Sequence, residues 1–414
     1  MSGSGGSGRR FRTVLRPTVA SRGAAPRQGG GRVVPVSSSG RTALVRRLAA
    51  IVGFDGAGVA SAEPLDDTPV AAWLSLGHAG SMTYLGGGRG DPRRVLAGAR
   101  SIVCVALAYG RGGASAGAGR PGVLCGTIAR YARGLDYHDT LKRKLRALAA
   151  CLRERFPSAR FRAAVDTAPL LEKPLAVRAG LGWVGKHTLL LRPPFGSWLV
   201  LGELLTDLDL EPGAPVPEKC GTCTRCLAAC PTGALVGPKQ LDARRCIAYL
   251  TIEHRGVIPR ELRPSLGTRI FGCDACQEAC PWNRSARSGR DPGWTRSAEA
   301  AYPRLEDLAV IDQKGFERRF ARTPVARTGR VGLARNACVA LGNAGSARSV
   351  PALERALGDV DPLVRGHAAW ALGRLAERGA DGGAGGRILA RAMRGERDPE
   401  VLEEIRGARA GSAS

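Results

Sequence analysis

An α/β domain, a compact cysteine-rich module and a C-terminal stack of paired helices, in that order, are what this sequence predicts. Three observations carry the prediction. Strand-like and helix-like segments alternate up to about residue 210, eight of the chain's twelve cysteines fall between 220 and 280, and an ALG core recurs 31 residues apart, in "RNACVALGNAG" and "GHAAWALGRLA".

The elements justify themselves in chain order. Residues 1–40 are rich in Gly, Ser, Arg and Pro and are expected to form a disordered basic arm. The α/β domain is then expected over 41–210. It opens on "RTALVRRLAAIVGF", where Leu44, Val45, Leu48, Ala49 and Val52 recur at helical spacing. "SIVCVALAY" (101–109) reads as a buried strand, followed by a Gly/Ala-rich surface loop. Leu141, Leu145, Leu148, Leu152 and Phe156 line one face of a long helix, with Cys151 expected to pack beside them. "FRAAVDT" is a strand ending at Asp166, "PLLEKPLAVRAG" a helix stopped by Gly180, and "HTLLLRPPFGSWLVLGELLTD" two strands around a Pro-Pro-Phe-Gly turn. In open α/β sheets ligands sit beyond the carboxyl ends of strands, which is where Asp166 falls. A proline-rich hinge at 211–219 leads into the cysteine module, expected over 211–290; helical repeats of the HEAT kind are expected over 291–380, with 381–414 left as a tail. Cys338 should be packed inside a repeat helix.

The chain carries a formal charge of +26. That surplus favours a polyanionic partner, nucleic acid before membrane. Composition supplies a blander account, because Arg outnumbers Lys by 55 to 7 amid abundant Ala and Gly. "RRFRTVLRP" near the start has the arginine pair of an export signal but no apolar stretch behind it, so a cytoplasmic protein without membrane segments is expected. In a reducing compartment, clustered cysteines are metal ligands before they are disulfides.

"CGTCTRCLAACP" has the spacing C-x2-C-x2-C-x3-C-P, the bacterial ferredoxin run, whose fourth cysteine serves a different cluster from the first three. A second ligand set must then exist. Cys246 and the "CDACQEACP" cysteines Cys273, Cys276 and Cys280 join Cys220, Cys223, Cys226 and Cys230 to make eight thiolates, enough for two [4Fe–4S] clusters. Two zinc sites would also use eight, but structural zinc favours well-separated C-x2-C pairs. A ferredoxin-like domain with two [4Fe–4S] clusters is the preferred reading, and the domain ahead of it suggests an electron acceptor.

With these residues on the page, the chain resembles the epoxyqueuosine reductase family. The likeness runs from about residue 41 to 376 through "GSMTYL", "DPRRVLAGARSIV", "YARGLDYHDTLKRKL", "VDTAPLLEKPLAVRAGLGWVGKHTLL", "GELLTDLDL", "LDARRCIAYLTIEHRG" and "RIFGCDACQEACPWNR" as well as the ferredoxin run. The resemblance implies an N-terminal cobalamin-binding domain, clusters that feed it electrons, and repeats that help grip tRNA. It implies a partition of the ligands: Cys220, Cys223, Cys226 and Cys280 on one cluster, Cys230, Cys246, Cys273 and Cys276 on the other. It makes Asp166 the proton donor and places Arg89 in the cobalamin site. Two positions depart from the family pattern. Ala129 stands for a small polar residue or Cys facing the cofactor, and His187 stands where Asn is frequent.

The implied reaction reduces epoxyqueuosine to queuosine at the wobble position of tRNA, which takes two electrons and two protons. Cobalamin carries the hard chemistry, and low-potential clusters suit it as donors. A carboxyl desolvated against the corrin would have a raised pKa and could hold a proton, which suits Asp166; by spacing alone a helix N-cap at Asp166 or Thr167 is the preferred reading, which the resemblance reverses. Lys173 and Lys186 could meet a cofactor propionamide or a phosphate, or be solvated. The glycines of "AGLGWVGKH" would let backbone approach a flat macrocycle or form a tight turn, and Trp183 reads as core. For the anticodon stem-loop of tRNA, Arg244 and Arg245 are the leading phosphate contacts, with Arg255, Arg269, Arg335 and Arg365 as additions and a solvated face as the alternative. The expected assembly is a monomer served by an external electron donor. Rival readings are a cobalamin-dependent reductive dehalogenase and a non-catalytic iron–sulfur carrier that docks on RNA.

Overall fold

A computed structural model describes residues 37–110, 122–294 and 298–411. The expected basic arm up to residue 36 and nearly all of the Gly/Ala-rich loop lie outside the described residues. The first helix, Ser38–Val52, begins earlier than expected because Ser37 caps it, its hydroxyl accepting from Gly40 N at 3.2 Å.

The N-terminal domain is built on a four-stranded sheet in the spatial order Gly56–Ser61, Ser101–Ala108, Leu199–Thr206, Phe161–Ala164. Every pairing is antiparallel. Helices and strands do alternate, as expected, but with every strand antiparallel the two ends of the sheet are mixed, and Asp166 follows the end of Phe161–Ala164 alone. Ser101–Ala108 is buried along its whole length because both faces are covered. Val103, Val105 and Leu107 meet Val45, Leu141, Leu145, Leu148 and Leu152 from the helices Ser38–Val52 and Tyr137–Arg155. Ile102 and Cys104 point the other way, onto Leu175 and Ala179 around the helix Glu172–Arg178. Cys151, expected in the core, is only half-buried on the long helix.

In the cysteine module, two one-turn helices, Arg225–Ala228 and Ala275–Glu278, carry Cys226 and Cys276, and the last cysteine of each run, Cys230 and Cys280, follows just beyond. The strand Arg269–Phe271 pairs in parallel with Thr127–Ile128, which ties the module back to the first domain. Trp183 packs edge-on to Trp282 at 5.1 Å, so the core reading of Trp183 holds. Gly182 has a packing role: a Cβ there would lie 2.0 Å from Leu191 O, inside the Trp183–Val184/Leu190–Leu191 pairing.

The repeat helices Gly329–Ala344, Pro362–Glu377 and Pro399–Gly411 stack in sequence, with Val350–Ala356 and Ala384–Gly395 between them. The stack therefore continues past residue 380, through most of what the sequence left as a tail. The recurring ALG core has a steric cause. A Cβ at Gly342 would lie 2.9 Å from Ala371 Cα, and one at Gly373 would lie 2.5 Å from Ala408 Cβ, so each glycine marks where the next helix crosses. Cys338 is fully buried, as expected.

Arg335 was expected on a basic face and is instead fully buried. Its guanidinium donates to Leu250 O at 2.6 Å, Gly256 O at 2.8 Å and His254 O at 2.9 Å, bolting the first repeat helix to the cysteine module. Truncating a buried charge that satisfies three carbonyls leaves all of them unpaired. Arg335→Ala is expected to cost about 3–5 kcal/mol, read as a lowered denaturation midpoint. A midpoint within error of the parent would show that the bolt does not bear on stability.

Candidate active site

Between the sheet and the cysteine module lies a cavity of about 390 Å³. One wall is sheet-side: Tyr109, Tyr137, Asp166, Glu172, Lys173, His187, Leu190, Leu199 and Leu201. The other comes from the module: Cys230, Pro231, Thr232, Cys246, Ile247, Cys273, Asp274, Cys276 and Gln277.

Asp166 sits just beyond the Phe161–Ala164 strand. It does not cap a helix: the next one starts at Glu172, with Leu171 at its N-cap position. Its oxygens face two donors from the start of Tyr137–Arg155. Tyr137 OH donates to Oδ2, and His138 Nε2 lies 2.6 Å from Oδ1. Asp136 caps that helix through His138 N at 3.0 Å and also holds His138 Nδ1 at 2.6 Å. The result is a chain Asp136–His138–Asp166 with Tyr137 beside it. Burial pulls the His138 imidazole down, but the hydrogen bonds and charges of the two aspartates lift it to about 9. Burial pushes the Asp166 carboxyl up, and His138 and Tyr137 outweigh it, so Asp166 lies below the ordinary carboxylate range. Two partners that the sequence did not reveal, His138 and Tyr137, thus oppose the rise that desolvation gives. At neutral pH the proton rests on the imidazole, one hydrogen bond behind the carboxylate.

Behind this chain are two glutamates. Glu203, on the Leu199–Thr206 strand, is fully buried and neither carboxyl oxygen has a well-placed hydrogen-bond partner. Glu172 Oε1, on the cavity wall, has none either. Burial raises both carboxyls; the Asp166 charge pushes Glu172 further, to about 8, and Glu172 in turn pushes Glu203 further.

His187 lines the cavity with Nδ1 accepting from Leu189 N at 3.2 Å and a buried Nε2 without a hydrogen-bond partner among the described residues. Burial, with Lys173 beside it, holds the ring down to about 4, so it is a neutral imidazole. Lys173 also reaches the cavity, its Nζ donating to Thr188 O at 2.9 Å. The other expected cofactor contacts are not on the wall. The Arg89 guanidinium is committed to Tyr84 O, Leu85 O and Ala168 O, bracing the loop after Asp166. Ala129 is buried with its N–H on Phe271 O at 2.8 Å. Lys186 donates to Gly221 O at 2.6 Å, on the first cysteine loop.

The eight thiols are all free and form two neighbourhoods. Burial pushes Cys276 up, and Cys273, Cys246 and Cys230 push it further. Burial likewise raises Cys280, whose cysteine neighbours are Cys220, Cys226 and Cys223. Burial and crowding favour the neutral thiols, and a polycation among each four would let them ionise together as ligands. Among the described residues, no three His, Cys, Asp or Glu side chains form a single-ion site. Arg244 is exposed and ion-paired to Asp242 at 2.8 Å; Arg245 beside it is exposed too. Arg255 is tied to Ile252 O and Thr328 O, and Arg365 is paired to Glu396 at 2.7 Å.

Comparison with known proteins follows the same division. Residues 219–283 match the 4Fe-4S double cluster binding domain, 326–408 match HEAT repeats, and 89–167 match the family described as epoxyqueuosine reductase QueG. The epoxyqueuosine reductase of Xanthomonas campestris is 41% identical over 80% of this chain and 95% of its own. The chain belongs to the epoxyqueuosine reductase family. The Escherichia coli epoxyqueuosine reductase is 39% identical over 79% of this chain and 87% of its own. A solved epoxyqueuosine reductase with a tRNA-Tyr epoxyqueuosine-modified stem loop superposes with a TM-score of 0.83 at 33% identity, covering 90% of this chain and 98% of the other. The Streptococcus thermophilus epoxyqueuosine reductase gives 0.81 at 29% identity, covering 90% and 99%. The protein is therefore an oxidoreductase that binds 4Fe–4S clusters and carries HEAT repeats over residues 326–408.

Tyr137, His138, Glu172 and Glu203 were not singled out from the sequence. The first two had a usable signal: "DYHD" puts an N-cap and a histidine at the start of a long amphipathic helix.

Proposed function

We propose that this epoxyqueuosine reductase removes the epoxide oxygen of epoxyqueuosine in tRNA as water, leaving the alkene of queuosine, at the expense of two electrons and two protons. The observation that carries the reading is the cavity itself, with a proton-bearing wall on one side and a cysteine wall on the other. Cys230, Cys246, Cys273 and Cys276 hold an inner [4Fe–4S] cluster at the cavity, and Cys220, Cys223, Cys226 and Cys280 an outer one. Cobalamin, when bound in the cavity, supplies a strongly reducing, nucleophilic cobalt centre.

The residues suit that cofactor. Leu190, Leu199, Leu201 and Ile247 offer an apolar surface to a flat macrocycle, and the unpartnered His187 Nε2, Glu172 Oε1 and Asp274 Oδ1 await polar groups such as its amide side chains. Substrate entering the cavity displaces water from Asp166, which weakens the carboxylate against its acid. The proton on His138 Nε2 then passes to Oδ1, and the carboxyl delivers it to the departing oxygen. Tyr137 OH holds Oδ2 in place throughout. Glu172, already protonated on the wall, is the source of the second proton.

Anaerobically purified protein should contain about eight iron per chain and one cobalamin. With a strong reductant and epoxyqueuosine-bearing tRNA it should form queuosine, detected by nucleoside analysis. Zinc in place of iron, or protein that never takes up the corrinoid, would sink the reading. Arg244 and Arg245 directly precede the cavity residue Cys246 and are placed to meet backbone phosphates. Affinity for tRNA should fall steeply with added salt, and Arg245→Ala should lessen the slope by about 1. A flat salt response would remove the phosphate contacts.

A further inference from the structure

The two cysteine neighbourhoods differ in what they face. The inner four line the cavity, whereas none of the outer four does. The outer loop reaches the surface instead: Gly221 and Thr222 are exposed and Cys220 and Cys223 are half-buried. A carrier outside the molecule can therefore approach the outer ligands at this loop.

The surroundings of the loop are basic. Lys219 and Arg225 are exposed on either side of Cys220 and Cys223. Lys186 Nζ rests on Gly221 O at 2.6 Å, and Lys239 lies alongside, its N–H on Lys186 O at 2.9 Å. The one carboxylate in this group is Glu218, paired with Lys239. Three of the chain's seven lysines thus gather at one loop, in a protein with 55 arginines. A genome bias toward arginine accounts for the general positive charge but not for this concentration of lysine.

We infer that the lysine rim of the Cys220–Cys226 loop is the docking surface for an acidic one-electron carrier protein that reduces the outer cluster; the inference rests on the two-cluster reading above. The chemistry of the rim favours a protein over RNA. Lysine is a compact, hydrated point charge that attracts at long range without the planar bidentate grip that arginine gives to phosphate. Electron-transfer encounters are small, weak and electrostatically steered, which lets the spent carrier leave after one electron. Lys186 also braces the loop backbone through Gly221 O, so one of the charges that draw the carrier helps to hold the cluster ligands still.

The test uses cluster-replete full-length protein and follows bleaching of the visible cluster absorbance in stopped flow. The probes are a reduced acidic flavodoxin, as a carrier of the required charge, and reduced methyl viologen, a small cation that needs no docking. Lys219→Glu combined with Lys239→Gln should slow reduction by flavodoxin about tenfold or more at low salt. Viologen should reduce the same protein as fast as the parent, or faster. In the parent, the flavodoxin rate should fall steeply with salt, and in the variant it should respond less. Lys239→Gln alone, which lies outside both cysteine runs, carries the test if the double variant loses iron. Unchanged flavodoxin rates in a variant with full iron would overturn the proposal. So would variants that lose tRNA affinity while keeping the flavodoxin rate, since the rim would then serve RNA. Absence of any bleaching by viologen in the parent would instead defeat the cluster reading itself.

Discussion

Asp166→Asn is expected to slow turnover by roughly 10²–10⁴-fold while iron and corrinoid contents stay at parental levels. Asparagine keeps the shape and can still accept from Tyr137 OH. It cannot carry the proton, and its amide N–H₂ has nothing to offer the protonated His138 Nε2 that lies 2.6 Å from Oδ1 in the parent. The imidazole then loses one of the two carboxylates that lift it to about 9. The sign of the pH effect follows. A histidine whose folded pKa is raised contributes stability that is fully present below its unfolded value near 6.5, and that contribution is lost as pH rises through about 9. The parent should therefore keep both this stabilisation and its proton supply through neutrality, with turnover declining on an alkaline limb near 9. In Asp166→Asn the decline should move toward neutral pH. Nucleoside analysis of single-turnover reactions across pH measures both effects. Turnover at the parental rate would take Asp166 out of the mechanism.

What could be read from the chain and what could not divides along a physical line. Local repetition was legible. The leucines of Tyr137–Arg155 face the core because a 3.6-residue period puts them on one side, and Leu141, Leu145, Leu148 and Leu152 are all fully buried. Cysteine spacing was legible too, because a cube of iron and sulfur demands thiolates at short intervals. Strand direction was not. The connection from Ser101–Ala108 to its neighbour Leu199–Thr206 includes two α-helices and four strands, and nothing in either strand's composition states which way it will run. Nor could one-dimensional spacing show that His138 would lie against Asp166, 28 positions away, and reverse its acidity. Arg335 misled for a related reason. An arginine in a helical repeat reads as surface, and only the carbonyls at Leu250, His254 and Gly256 make its burial tolerable. The likeness to a family pointed to Asp166, which lines the cavity, and also to Arg89 and Ala129, which are not among its lining residues.

The inner cysteines carry the other large prediction. Cys246→Ala should lower iron from about eight to about four per chain and reduce queuosine formation below detection, even with excess reductant. The substitution is chosen for its narrow consequence. Cys246 precedes the helix Ile247–Ile252, and its backbone bonds, N–H to Ala243 O and C=O from Leu250 N, both at 2.9 Å, do not depend on the thiol. Alanine rather than serine also denies iron an oxygen ligand. The remaining Cys230, Cys273 and Cys276 line the cavity but offer a cube only three corners. The outer neighbourhood shares no thiol with this one, so its cluster should still form and still bleach when reductant is added. Cys223→Ala separates the two roles. It should remove the outer cluster, abolish reduction by a protein carrier and leave slow turnover with a small reductant that can reach the inner cluster through the cavity mouth. If Cys246→Ala retained its full iron and formed queuosine at the parental rate, the inner quartet would not be the last station of the electron, and the cavity's cysteine wall would need another purpose.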